Sequence, residues 1–277
     1  MSAPKTAAVS VLEYADYRVF LKDYYQRAHA QDKNFSHRLI ASKVGSSSSG
    51  WFSDLLNSRQ NLAGTQLVKL ASLLKLGEKE ADYFESLVHF NQSASLEEKN
   101  RYYRKLIALR DPQAKLVGQE RFEYYSKWYY SAIRELLFFH EFSDDHTALA
   151  KKLQPPIRPS EAADAIKLLE SIDFIHKDAQ GRYRPLETTL KKDPSFKSLY
   201  AVNFLKASME LGMDALEKFP KEERHISAMT LSYSDAFMAK AVVEIEALRK
   251  KLLALMEEDP HPEKVYQMNL QFFPLTK

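Results

Sequence analysis

The chain has 277 residues, 40 Lys and Arg against 37 Asp and Glu, and no cysteine. The missing cysteine excludes a disulfide framework, a thiolate zinc site and a cysteine nucleophile. A net charge of +3 is too small to imply nucleic acid by itself, so local charge must decide. A hydrophobic share of 45% and a charged share of 28% suit folded domains, about two on length alone. No run reaches the roughly eighteen apolar residues of a membrane helix, and MSAPKTAAVS lacks a signal-peptide core. A cytoplasmic chain without a membrane partner is expected. The 7 glycines form neither GxGxxG nor GxxxxGK[ST], which counts against common nucleotide-dependent enzymes.

Taken in order, Val11–Ala30 reads as a helix with Leu12, Tyr17, Leu21, Tyr24 and Ala28 on one side. FSHRLIASKVGSSSSGWFSDLLNSRQNL (Phe35–Leu62) follows. Leu39, Ile40 and Val44 keep helical spacing up to Gly45, and Phe52, Leu55 and Leu56 do so after the serine run. Two short helices around a small-residue turn suggest a helix-turn-helix, whose second helix enters the major groove in DNA-binding proteins. Helices over 65–76 and 78–90 complete an expected helical domain, 1–94. Ser95 and Glu98 match a capping box and start a polar helix, read as a connector over 95–121.

A middle domain is expected over 122–186. It would hold helices over 128–142 and 144–153, one opening at Pro159, and a hairpin turning at Asp178–Gly181. Three helices and then a hairpin is the winged-helix order. Over 187–277, HISAMTLSY (225–233) and VYQMNLQFF (265–273) read as strands on either side of a long helix. That order suits a βαβ-type unit for dimerisation or sensing. The expected fold class is therefore mainly α with a smaller α+β part.

RLIASKVG, LNSRQNL, KEADYFESLVHFNQS, EEKNRYY, YYSKWYYSAIREL, AIKLLESIDFIHKDAQGRYRP, EERHISAMTLS and VYQMNLQFFPLT occur in this order. On these pieces the chain resembles the Fibrobacter-type paralogous family of bacterial transcriptional regulators, whose C-terminal half is a domain of unknown function. The resemblance implies a regulator and supplies neither a ligand nor a catalytic site. The chain departs from the family pattern where Ser47–Gly50 replace a small-Pro-small turn, Ser58 a glycine, and Ala63–Gly64 a Ser-Pro.

Between Lys33 and Lys69 stand Lys33, Arg38, Lys43, Arg59 and Lys69 against Asp54 alone, a local balance of +4. Ser48, Ser49, Ser53 and Asn57 are candidates to face bases. Arg38, Lys43, Arg59, Gln60 and Asn61 are candidates to approach phosphates. The plainer alternative is a solvated turn beside a soluble cationic face. In the middle domain the helix from Pro159 carries four acids and one base, so only the wing (His176, Lys177, Arg182, Arg184) suits DNA. That domain is expected to make protein contacts instead.

The aromatic run Phe122–Tyr130 fits a core better than a base-stacking platform. His140 and His146 are six apart, not the four of the zinc-protease helix motif, and no metal or cofactor pattern is found. No nucleophile elbow points to an enzyme. The reading is a DNA-binding regulator whose partners are double-stranded DNA, a second copy in a homodimer and an unidentified effector or protein. The rival is a protein-interaction adaptor that no longer binds DNA.

Overall fold

The computed structural model describes residues 9–186 and 196–276. Residues 1–8, the basis of the signal-peptide reading, and 187–195, which open the expected C-terminal unit, lie outside the described residues, as does Lys277. The described chain is mainly helical with one small antiparallel sheet. It divides into two compact units, 1–123 with 191–203, and 124–190 with 204–277.

In the first unit the expected helix over 11–30 is broken. A short 3-10 turn, Val11–Glu13, precedes α1, Tyr17–Gln31. The break has a cause: the Asp16 carboxylate caps α1 by accepting from Arg18 N–H at 2.7 Å. Asn91 reinforces it, accepting from Tyr17 N–H at 3.0 Å and donating to the Ala15 carbonyl at 2.9 Å. Then come α2 (His37–Val44), α3 (Trp51–Leu56), α4 (Gly64–Leu73), α5 (Glu78–Gln92), α6 (Leu96–Leu109) and α7 (Pro112–Ser126). The apolar faces of α1 to α5 meet around Tyr17, Phe20, Leu21, Ile40, Phe52, Leu55, Leu70, Phe84 and Leu87, all nearly fully buried. α6 packs on α5 and buries Tyr103, whose hydroxyl reaches the Gly118 carbonyl at 2.9 Å and the Tyr200 hydroxyl at 2.7 Å. Tyr200 lies on α11 (Lys197–Lys218).

In the second unit α8 (Tyr129–Leu136), α9 (His146–Lys152) and α10 (Pro159–Ser171) precede β1 (Ile175–Lys177) and β2 (Tyr183–Pro185). The strands pair antiparallel, with Ile175 opposite Pro185 and Lys177 opposite Tyr183. The helix expected over 128–142 ends at Leu136. Phe142 is committed elsewhere, since its carbonyl accepts from Tyr183 N–H at 2.9 Å. Ile133, Leu149, Ala162, Ala165, Leu169 and Ile175 form the core. Tyr124, Tyr129 and Tyr130 are buried in it, so these aromatics are core and not a stacking platform. Burial pushes the Tyr124 phenol up to about 12.

The expected βαβ unit does not form among the described residues. α12 (Asp235–Glu257) lies where the long helix was expected. Segments 225–233 and 265–273 are extended but form no ladder, and β1–β2 is the only sheet among the described residues. Their side-chain pattern suits strands, but a strand also needs a neighbouring backbone to pair with.

Candidate nucleic-acid interface

Ser36 opens α2, its hydroxyl accepting from Leu39 N–H at 3.3 Å. Gly45 closes it in the left-handed region (φ 81°), which lets Ser46 N–H return to the Ala41 carbonyl at 2.9 Å. The turn is held by its own serines: Ser46 Oγ accepts from Ser48 N–H at 3.2 Å and donates to the Ser48 carbonyl at 3.3 Å. α3 then spans only 6 residues, about 9 Å of helix. It is anchored by Trp51, Phe52 and Leu55, all buried.

The predicted residues are placed as follows. Arg38 and Lys43 stand exposed on α2 without an ion pair among the described residues, and Ser48 and Ser49 are exposed on the turn. Ser53 is half-buried on α3, and Asn57 is exposed at its C-terminal end. Those two touch: Asn57 Nδ2 donates to the Ser53 carbonyl at 2.8 Å. Arg59 is exposed and lies 3.5 Å from Asp54. An exposed pair of that length contributes about 0–1 kcal/mol, so exchanging Asp54 for a phosphate costs little. Asp54 therefore serves the loop: besides Arg59, its carbonyl takes the N–H groups of Arg59 (2.9 Å) and Gln60 (3.3 Å). Lys69, on α4, comes to the same turn, because a Cβ at Gly45 would lie 2.9 Å from its Nζ. Burial, then His29, lowers the His37 pKa, so His37 adds no cation at neutral pH.

Two residues absent from the sequence reading hold the loop after α3. Arg18 on α1 donates to the Leu55 carbonyl at 3.0 Å, the Gln60 carbonyl at 3.3 Å and Asn61 Oδ1 at 2.9 Å. It thus satisfies carbonyls that a helix end leaves open. Asn61 is consequently tied into the scaffold by its side chain. Gln92 on α5 accepts from Leu62 N–H at 2.7 Å and donates to its carbonyl at 3.2 Å. Gln92 Oε1 also accepts from the Tyr17 hydroxyl at 2.8 Å, and burial, pushing that phenol up to about 12, keeps it a donor. Only the chain spacing hid both residues, since Arg18 lies 37 to 43 positions from its acceptors.

The hairpin of the second unit is differently arranged. Arg182 contacts Glu141 at 2.8 Å and Asp178 at 3.1 Å, and Arg184 contacts the same two acids at 3.3 and 3.4 Å. Lys177 meets Asp144 at 2.7 Å. Three of its four basic residues are therefore neutralised within the unit. On α6, Arg101 pairs with Glu98 at 3.7 Å, and Arg104 lies over the Phe122 ring at 5.4 Å.

The geometry defines a mainly helical protein whose exposed, cation-bearing helix-turn segment, α2 to α3, packs on α1 and α4. Residues 110–275 match the model of a domain of unknown function, DUF4423, and the chain belongs to that family. No curated protein and no solved structure matches it.

Proposed function

We propose that the chain is a bacterial transcriptional regulator that binds double-stranded DNA through α2, the serine turn and α3, used as a helix-turn-helix. The carrying observation is that Arg38, Lys43 and Arg59 are exposed around one short helix whose following loop is fixed by Arg18 and Gln92. Such pre-ordering lowers the entropy cost of docking. In this reading the cations contact phosphates and set affinity, while Ser48, Ser49, Ser53 and Asn57 face the bases. Asn57 can keep one Nδ2 hydrogen on the Ser53 carbonyl and offer Oδ1 and its other hydrogen to a base. The second unit acts as a winged-helix-like module for protein contacts, with Lys177, Arg182 and Arg184 of its hairpin already paired. The C-terminal residues pair two copies and receive a signal, and the protein acts in the cytoplasm.

Capture of genomic fragments by the purified protein tests this. Discrete sites are expected. They are lost with Asn57→Ala/Arg59→Ala and kept with Arg182→Ala/Arg184→Ala. Four phosphate contacts per copy (Arg38, Lys43, Arg59, Lys69) would give log K against log salt a slope of about −3 to −4 per copy. Absence of enrichment with folded protein would favour the adaptor reading, in which the same surface meets a protein.

A further inference from the structure

Among the described residues, twenty-two of the twenty-nine large apolar residues that stand exposed fall between Met209 and Leu275. Met229 is 78% exposed, Tyr266 77% and Val243 65%. Scattered exposed apolar side chains need no explanation, but a contiguous stretch of this length does. Segments 225–233 and 265–273 also carry no backbone–backbone hydrogen bond among the described residues. They are tied to their surroundings by single contacts, such as Tyr233 against Phe272 at 5.8 Å and Asn269 Nδ2 on the Ser208 carbonyl at 2.7 Å. Unpaired, exposed strand-like backbone is a template for another chain.

We infer that this surface is covered by the same segment of a second copy, with α12 crossing its counterpart antiparallel about Ala247. The inference deepens the pairing part of the function proposed above and rests on it, but not on DNA binding.

Three observations favour a second copy over other occupants. The first is charge order along α12: Glu244 and Glu246 precede Arg249, Lys250 and Lys251. Reversing a copy sets acids against cations, Glu244 of each opposite Lys250 of the other, and the small Ala247 at the centre permits close approach. The second is area. At roughly 80 Å² left uncovered on each residue, the twenty-two offer at most on the order of 3,500 Å² for a pair, so about half of them meeting would reach the size of a standard interface. The third is sign. Residues 204–276 carry nine Lys and Arg against twelve Asp and Glu, which disfavours nucleic acid or an anionic membrane as the cover.

Light scattering on the full chain without DNA, with circular dichroism as the folding control, tests this. The 32.0 kDa chain should behave as a species of about 64 kDa at micromolar concentration. Glu244→Lys and Lys250→Glu should each weaken pairing about tenfold or more, because two contacts reverse sign in a symmetric pair. The double variant should restore it to within about threefold. The chain has no cysteine, so Ala247→Cys reports directly: it should cross-link on oxidation, whereas Glu257→Cys, placed about 30 Å from its symmetry mate, should not. A pair with silent charge variants and no Ala247→Cys cross-link would overturn this interface while leaving pairing intact. A monomer would overturn both, and the DNA capture experiment would remain a separate reading.

Discussion

Ser58 holds a left-handed backbone, φ 60°, just past α3, a conformation that glycine adopts without cost. It is also the position where the chain departs from a glycine in the family it resembles. Five residues on, Ala63 is the N-cap of α4 and has no side-chain acceptor, so only Gln66 answers there, taking Ala63 N–H at 3.4 Å. Ser58→Gly and Ala63→Ser should therefore each stabilise the first unit by about 0.5–1 kcal/mol, read as a rise in its melting temperature. Local signals of this kind were legible in the sequence: Gly45 stops α2, Ser95 caps α6 and Pro159 opens α10. The Asp16 cap is equally local, yet the continuous apolar spacing from Leu12 to Leu21 masked it. Arg18 and Gln92 could not be read at all, because their acceptors are backbone carbonyls and an amide brought close only by the fold.

Among the elements, the β1–β2 hairpin depends on one carboxylate. Asp178 accepts from the N–H groups of Arg182 at 2.9 Å and Gln180 at 3.0 Å, and from the Arg182 guanidinium at 3.1 Å. Bonding from the Arg182 N–H, with the other donors, lowers its pKa to about 2. A carboxyl depressed on folding stabilises the folded state above the usual aspartate range, and the stabilisation is lost as pH falls towards 2. Melting followed against pH should show the second unit weakening between about pH 4 and pH 2. Asp178→Asn should be less stable at neutral pH and lack that part of the acid transition. The hairpin was legible because a turn sequence stood between two short apolar-bearing runs. Segments 225–233 and 265–273 carry equally clear alternation, but alternation names the faces of a strand and not the backbone beside it.

Over the whole molecule, apolar burial is unevenly distributed. Among the described residues the buried core runs from Val11 to Tyr200, and none of its large apolar members lies beyond. Residues 204–276 are thus folded in outline, with helices formed but faces open. If a second copy closes those faces, unfolding there is coupled to dissociation. The melting transition of the second unit should then shift upward over a hundredfold rise in protein concentration, while that of the first unit stays fixed. Differential scanning calorimetry at two concentrations would separate them, and equal shifts in both, or none, would contradict the coupling.

The clamp made by Arg18 has a consequence for how such a protein can diversify. Two of its three acceptors, at Leu55 and Gln60, are main-chain carbonyls, which every residue type provides. The loop after α3 is therefore shaped without reference to most of the side chains it displays. Exchanges at Asn57, Arg59 and Gln60 can alter what the loop recognises while its path stays the same. If the loop reads DNA as proposed above, a single scaffold arginine would let copies of this chain acquire different targets by surface substitution alone.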